Sequence, residues 1–380
     1  MLTVEEITNS SDFLKLASVW NQLLARSNSN TIFLTWEWIS NWWQVYGHKK
    51  ELYVLTLKDN DNSLIGIAPL YMRKEKILKG FPVNEVRFLG TGEDVSPDYL
   101  DFIIEQGRES EALDAFIRYL ASKNQWDVLN LTDMPSTSCN IDFLAETAKN
   151  NGFTIRQSEC ATCPYIILPS AWEEYVSTLS ANTRYNVKRR IKNIERDFTV
   201  RYFVWEDFKR LDDAMDRLAH LHNKRWEEKE CRHSFSSNEY VSFHKAVAKD
   251  FAKKGWLHLS CLELDEEIVG MLYDYRYGDK ISYYQAGFDP SFHKYSPGLV
   301  LRAYVIRRAI EDGMKEIDLL KGAYDFKYMW TGHDRSTVNI TVGRQSTASK
   351  LYFLNTFKRQ EIKAAVKRAL PDSVIRLVRG

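Results

Sequence analysis

The sequence carries the same succession of segments twice, and this internal repeat limits the possible folds more than any other feature. Leu52–Leu57 and Leu64–Tyr71 are rich in aliphatic and β-branched residues, and the polar turn between them predicts a β-hairpin. Leu257–Leu264 and Ile268–Tyr275, joined at Asp265–Glu267, predict the same hairpin. A repeat of this kind predicts two copies of one structural unit.

The match continues beyond the hairpins, because each is followed by a third strand, a helix and a closing strand. The matching pairs are Val86–Gly90 with Ile281–Gly287, Glu111–Ser122 with Pro297–Asp312, and Trp126–Leu131 with Lys315–Leu320. The predicted fold class is therefore α/β, with mixed α+β sheets flanked by helices in two tandem domains.

Prolines place the domain boundary. Pro164 and Pro169 interrupt the pattern between the halves, so we predict an N-terminal domain at 1–160 and a second domain at 161–345. Residues 346–380 form a basic segment in which apolar residues recur at helical spacing. This predicts a C-terminal helical tail, either docked on the protein or touching a membrane surface.

Composition narrows the class of protein. A net charge of +1 on 380 residues gives no overall field to attract nucleic acid, so DNA is not an expected partner. Neither a signal peptide nor a run of 18 apolar residues is present, and we expect a cytoplasmic protein. The five cysteines are irregularly spaced. Reduced structural thiols are expected, with a redox pair or zinc site at Cys160 and Cys163 as the alternative.

Ser296, Pro297 and Gly298 open a predicted helix. Serine is a common N-cap, proline suits the first helical position, and Gly313 is placed to end the helix. The motif has two interpretations: an ordinary helix start, or a seat for a pyrophosphate on the free N–H groups of the first turn.

Several segments in fixed order resemble a known family. They are Ser180–Arg190, His222–Trp226, Gly270, Tyr284–Asp289, Tyr295–Gly298, Gly313, Asp318–Gly322 and Asp325–Trp330. With the strand and helix order, they resemble the GNAT acetyltransferase core and, within it, the BioF2-like/CelD branch related to FemAB-type transferases. The resemblance covers residues 165–345 and extends to the first half as a degenerate copy. The glycine-rich Q/R-x-x-G-x-G/A loop of GNAT proteins is absent, and Tyr295–Gly298 occupies its place.

The resemblance implies acetyl-CoA or another acyl-CoA as co-substrate and no metal. Tyr295, Ser296, Pro297 and Gly298 would hold the donor. The strand before them would pair with the pantetheine amides and offer an N–H to the developing oxyanion. Tyr283, Tyr284 and Gln285 would line the cleft, with Gln285 and Gly287 contacting the donor and Tyr284 acting in catalysis.

His222 lies on an apolar helical stripe with Leu211, Met215 and Leu218. A histidine in that position is either a hydrogen-bonded core residue or a general base that removes the acceptor's proton. The match of His222 and Trp226 to the family motif makes His222 the candidate base while leaving both interpretations open, and implies that Arg225 and Trp226 bind substrate.

Two further groups of charged residues are candidates for substrate binding. Arg184 and Lys188 begin a four-spaced basic stripe on one helix, which is either a solvated face or an anion-binding face. Asp325 and Lys327 follow the last strand of the second half, as a surface ion pair or as substrate ligands. We expect Asp325 to act in catalysis and Lys327 to contact an anion.

These residues predict direct acyl transfer from an acyl-CoA to an amine or a sugar hydroxyl, without a covalent enzyme intermediate. The acceptor is a small molecule, a sugar or a peptidoglycan precursor, as in cell-envelope or exopolysaccharide synthesis. One alternative is a FemAB-like donor, aminoacyl-tRNA, which would make RNA a partner. The other is a non-catalytic protein of polysaccharide export that keeps the fold.

Overall fold

The computed structural model describes residues 2–78, 80–227 and 234–357. The chain divides into two compact units. The first holds residues up to Cys160 together with the chain from Thr337 onward, and the second is Ala161–Ser336. Residues 337–345, which the sequence analysis assigned to the second domain, thus pack with the first, because they continue a strand that pairs inside the first unit. Residues 358–380 of the predicted tail lie outside the described residues.

The first unit contains strands and helices, mostly short. They are β1 (Thr3–Ile7), α1 (Ser10–Lys15), α2 (Ala17–Ala25), α3 (Trp36–Tyr46), β2 (Glu51–Leu52), β3 (Val54–Lys58), β4 (Leu64–Ala68), β5 (Leu70–Ile77), β6 (Phe81–Phe88), β7 (Ile103–Ile104), α4 (Glu109–Ser122), β8 (Val128–Pro135), α5 (Asn140–Asn150) and the start of β9 (Thr154–Ile167). The chain is helical again over 347–357.

The strands of the first unit form two ladders. One has the order β1-β3-β4-β7, and the other continues from β2 through β5 and β6 to β8. Pro69 separates β4 from β5, since a proline has no N–H for the ladder. Strands β6 and β8 run parallel, with Glu85 opposite Val128.

The second unit contains a similar succession of strands and helices. They are the rest of β9, α6 (Trp172–Thr178), α7 (Ala181–Asp197), β10 (Val200–Val204), α8 (Leu211–Glu227), α9 (Asn238–Lys254), β11 (Leu257–Leu264), β12 (Glu267–Tyr277), β13 (Lys280–Phe288), α10 (Pro297–Glu311), β14 (Glu316–Asp318), α11 (Asp325–Tyr328) and β15 (Asp334–Gly343), whose last residues belong to the first unit.

The sheet of the second unit has the order β10-β11-β12-β13-β14-β9. Helix α10 connects β13 to β14, which pair in parallel, and its apolar residues pack on the sheet together with those of α7. Gly313, in the left-handed region with φ of 71°, follows the end of α10 as the sequence predicts. Within the described residues, no helix is long and apolar enough to cross a membrane.

The structure confirms the internal repeat and the fold class. The predicted pairs correspond, in order, to β3 and β11, β4–β5 and β12, β6 and β13, α4 and α10, and β8 and β14. In both units the third strand of the repeat pairs in parallel with the closing strand, β6 with β8 and β13 with β14, although the short strand β7 also precedes α4 in the first unit. The two copies therefore share connectivity as well as composition.

The copies differ where the two parallel strands separate. In the first unit, the segment before β7 runs along the end of β8, and the Leu100 N–H donates to the Asp133 carbonyl at 3.1 Å. Leu100, Phe102 and Ile103 are completely buried there. The segment around Leu100 thus occupies the space beside the end of β8 in the first unit, whereas a cavity occupies the corresponding space in the second unit.

Candidate active site

The site begins where β13 and β14 separate. Their ladder has three pairs, the last being Ser282 opposite Asp318. Beyond Asp318 the chain follows β9 instead, since the Leu319 N–H donates to Pro164 O and the Gly322 N–H to Thr162 O, both at 2.9 Å. From residue 283 onward, the β14-facing edge of β13 has no strand partner in the described part of the chain.

A β-bulge at Tyr284 changes which residues of β13 face helix α10. Against β12, Tyr283 pairs with Asp274 and Gln285 with Tyr273, which leaves Tyr284 as the extra residue. Because a bulge shifts the two-residue alternation, side chains 281 and 283 face α10 before it and side chains 286 and 288 after it.

The first turn of α10 is open. Ser296 has φ of 55° and ψ of 59°, and its side chain caps no backbone N–H. The prediction of a serine cap is therefore wrong, because capping requires the residue to be extended. The amides of Leu299 and Val300 donate to Ser296 O, and Pro297 has no N–H. This leaves the Gly298 N–H without an acceptor among the described residues.

A cavity of about 290 Å³ lies between the open strand edge and the start of α10. Six predicted residues line it: Arg225, Tyr283, Ser296, Pro297, Gly298 and Lys327. Most of the wall is apolar, including Leu272, Ala286, Phe288, Leu299, Leu319 and Met329. No aspartate or glutamate of the described residues lines this cavity, so its charged lining is cationic.

Two of the cations are held in place by their surroundings. The Arg225 guanidinium lies 4.5 Å from the centre of the Phe288 ring, and burial lowers its pKa. Lys327 is buried, and its Nζ donates to the carbonyls of Leu320 and Lys321 at 2.9 and 2.7 Å. Lys327 therefore fixes the loop after β14 as well as contributing charge to the cavity.

Arg302 and Asp274 form a buried ion pair that the sequence analysis missed. Their Nη1 and Oδ2 atoms are 3.1 Å apart, and Arg302 lines the cavity. Burial raises the pKa of the Asp274 carboxyl to about 6, although Arg302 acts against it. Sequence carries little signal for this pair, because an arginine near Arg307 and Arg308 and an aspartate near Arg276 both resemble surface charges.

The comparison of sequences identifies the second unit. The family model of the acetyltransferase (GNAT) domain matches residues 181–328. Residues 181–328 form a GNAT acetyltransferase domain. The match contains β13, the start of α10 and most of the cavity lining, and the second unit accordingly carries a GNAT-type acyltransferase domain. Comparison with curated protein sequences gives no match.

Solved structures share the fold over nearly the whole chain. FemX has a TM-score of 0.62 at 11% identity, covering 92% of this chain and 99% of FemX. The C-terminal domain of a protein designated a lysylphosphatidylglycerol synthetase, from Agrobacterium fabrum, scores 0.51 at 9% identity, covering 90% and 96%. L-PGS from Bacillus licheniformis scores 0.50 at 12% identity, covering 92% and 98%. At such identities the similarity shows the fold.

Other predicted residues lie on the opposite face of the GNAT sheet, under α8 and α9. His222 is 3% exposed, and its ring meets the Phe235 ring edge-on at 5.0 Å. The Gln285 amide donates to the Tyr240 hydroxyl at 3.1 Å, and the Tyr284 ring lies 4.9 Å from that of His244. These side chains form a second group, across the sheet from the cavity.

Gly287 belongs to this second group. A Cβ on Gly287 would lie 2.6 Å from the His222 amide nitrogen, so the glycine allows α8 to pack directly on β13. The geometry assigns it to helix packing rather than to donor contact. The roles predicted for His222 and Tyr284 in catalysis and for Gln285 in donor binding remain predictions.

The other predicted residues of the GNAT domain lie apart from both groups. The Tyr295 hydroxyl donates to Asp197 at 3.1 Å, and Arg184 donates to the carbonyls of Ser177 and Leu179 at the end of α6. Lys188 and Asp325 are exposed. Trp226 lies in α8, and its side chain is outside the described part. No metal-binding group of histidine, cysteine and carboxylate side chains occurs in the described residues.

Proposed function

We propose that the protein transfers an acyl group from acyl-CoA to an amine or a hydroxyl. The supporting observation is the cavity between β13 and β14, because it joins an unpaired strand edge, an open helix start and a cationic apolar lining. A thioester of CoA has the complementary parts: phosphates, amides and an apolar chain.

The pyrophosphate of the donor would lie at the start of α10. A helix N-terminus attracts anions through its free N–H groups and its dipole, and the Gly298 N–H is available there. Arg225 and Lys327 add positive charge to the same cavity. The pantetheine amides would then pair with the free edge of β13, as an added strand does.

The reaction would proceed by direct attack. The acceptor's lone pair attacks the thioester carbonyl carbon, a backbone N–H of β13 stabilises the oxyanion, and the C–S bond breaks to release CoA. The acceptor's proton passes to a general base, for which His222 remains the candidate. The residue is buried, but it lies on the face of the sheet opposite the donor cavity, where an acceptor would approach the open strand edge.

Thermal-shift measurements with free CoA, acetyl-CoA and longer acyl-CoAs test this function. A ligand present at 100 times its Kd adds about 2.7 kcal/mol to the free energy of unfolding, which raises the melting temperature. A rise in melting temperature with the CoA compounds supports the proposal. The CoA fragments 3′-AMP and pantetheine are tested beside them as partial ligands. No stabilisation by any CoA compound at millimolar concentration contradicts it.

A second candidate is aminoacyl transfer from aminoacyl-tRNA. It is favoured by the exposed basic face of α7, where Lys188, Arg189 and Lys192 accompany Tyr185, whose side chain is 63% exposed. Basic and aromatic side chains together suit RNA. This candidate predicts tRNA binding that weakens steeply between about 50 and 200 mM salt, whereas CoA binding in the cavity depends less on salt.

The acceptor class follows from the family branch. We propose that the chain belongs to the BioF2-like/CelD branch, because its Tyr295–Gly298 and Asp325–Trp330 motifs resemble those of that branch. On this basis we propose a sugar or a cell-envelope precursor as acceptor, acylated in the cytoplasm, where acyl-CoA is made. A screen of amino sugars and nucleotide sugars, read by release of free thiol, tests the acceptor class.

A further inference from the structure

Arg302 is a buried cation in the wall of the donor cavity. Its side chain is 5% exposed and lines the cavity together with Tyr283 and Leu319. It lies in α10 four residues after Gly298, which places it about 6 Å further along the helix axis. A donor whose pyrophosphate sits at Gly298 would therefore pass Arg302 with its pantetheine arm or its acyl group.

The guanidinium is only partly satisfied by the protein. Nη1 donates to Asp274 Oδ2 at 3.1 Å, and the group lies 4.0 Å from the centre of the Tyr283 ring. The other terminal nitrogen, Nη2, is buried and has no hydrogen-bond acceptor among the described residues. Asp274 Oδ1 is likewise buried without a donor from the described part of the chain.

A purely structural role does not account for this arrangement. An arginine and a carboxylate that meet for stability normally form two parallel hydrogen bonds. Desolvation of a buried ion pair also offsets its attraction, so an apolar pair of similar size is often as stable. Here Arg302 Nη1 bonds to Asp274, while Nη2 is left without a hydrogen-bond acceptor among the described residues, in a side chain that lines the cavity.

We propose that Arg302 is a specificity residue of the donor cavity, where Nη2 donates to a carbonyl or carboxylate oxygen of the donor. The inference rests on the proposed function. The oxygen has two sources: an amide carbonyl of the pantetheine arm, or a carboxylate on the acyl group. Either oxygen would accept the hydrogen bond for which Nη2 has no partner among the described residues.

The charges of the cavity support an acceptor of this kind. Arg225 and Lys327 also line it, and no acidic side chain of the described residues does. An oxygen acceptor is attracted by this lining, whereas an acyl group with a positive charge is repelled. The same residues therefore select against cationic acyl groups and favour neutral or anionic ones.

The experiment compares CoA, butyryl-CoA and succinyl-CoA by isothermal titration. The main variant is the double substitution Asp274→Leu/Arg302→Leu, which leaves no unpaired charge at this place in the core. Arg302→Lys keeps the positive charge but replaces the two terminal nitrogens of the guanidinium with a single ammonium nitrogen. Arg307→Leu is the control, because Arg307 lies on the same helix with a 57% exposed side chain. Melting temperatures are measured for all variants.

We expect the double variant to melt near or above the wild type and to bind the donor about 10- to 100-fold more weakly, with Arg307→Leu unchanged. If the double variant loses affinity for CoA itself, the oxygen that accepts from Nη2 is an amide carbonyl of the pantetheine arm. A loss confined to succinyl-CoA, relative to butyryl-CoA, assigns the acyl carboxylate. Wild-type affinity of the folded variants for all three ligands overturns the inference alone. A wild-type protein that binds none of the three overturns the proposed function, and this inference with it.

Discussion

Gly287 lies directly against the backbone of His222. A Cβ at Gly287 would come within 2.6 Å of the His222 nitrogen and 2.9 Å of the Leu218 carbonyl oxygen, distances that no side chain tolerates without movement of the helix. Because β13 carries the cavity edge and α8 carries His222 and Arg225, this contact fixes the spacing between the two faces of the site.

Gly287→Ala is therefore expected to destabilise the GNAT domain. Overpacking of a rigid contact costs about 1–3 kcal/mol, and here the opposing atoms are backbone. Chemical unfolding measures the change. Gly270→Ala is the matched control, since a Cβ there meets its nearest atom at 3.6 Å. Equal stability of the two variants would mean that α8 does not pack as described.

The sequence was informative where local pattern decides structure. The hairpins and the helix after β13 were predictable because alternation, turn residues and Gly313 act over a few positions. The bulge at Tyr284 was not, because it depends on how β13 pairs with β12. The prediction that Ser296 caps the helix failed for a related reason, because capping depends on the backbone angles of Ser296, which the sequence does not reveal.

The candidate site was predictable only in part. The residues at the start of α10, with Arg225 and Lys327, are brought together in one cavity. Arg302 and Asp274 were missed, because their pairing joins a helix and a strand far apart in sequence. The resemblance implied donor contact for Gly287, and the sequence carries no sign that the backbone of α8 lies directly against this glycine.

His222→Gln is expected to lower turnover by about 10²–10⁴-fold with little change in melting temperature, since glutamine keeps a polar group but cannot take the acceptor's proton. The measurement is the rate of thiol release with a saturating acceptor. His220→Gln is the control, because His220 is exposed on the same helix. A variant that melts early yet turns over normally would show that His222 is a core residue.

His258 is expected to make stability depend on pH. Burial, with Arg276 second, lowers its pKa from 6.5 to about 4. Below pH 6.5 the His258 imidazole binds a proton in the unfolded chain but stays neutral in the folded protein. Stability present at pH 7 is therefore lost as the pH falls toward 4. The loss is on the order of 3 kcal/mol.

His258→Gln should flatten this part of the pH profile, measured as the free energy of unfolding at about pH 7, 6, 5 and 4. His220→Gln should keep the wild-type slope, because His220 is exposed. If the profiles of the wild type and His258→Gln are parallel, His258 is not kept neutral by burial.

Binding of CoA is expected to slow amide hydrogen exchange in the second unit alone. CoA should slow exchange over 281–302, which holds the open strand edge and the start of α10. The corresponding stretch of the first unit, 86–113, should not change, because the segment around Leu100 occupies the equivalent gap. Protection of 86–113 to the same extent would contradict the assignment of a single donor site.

The titration of CoA into Gly298→Val tests the central claim most directly. A valine side chain at this position would crowd the approach to the Gly298 N–H and also the Phe288 ring, whose nearest atom would lie 3.3 Å from the added Cβ. Gly332→Val is the control, because a Cβ there meets no atom of the described residues within 4 Å. We predict that the wild type and Gly332→Val bind CoA alike, while folded Gly298→Val loses at least about 10-fold in affinity, the size of one charge-assisted hydrogen bond. Unchanged CoA affinity in folded Gly298→Val would place the donor outside the cavity between β13 and β14.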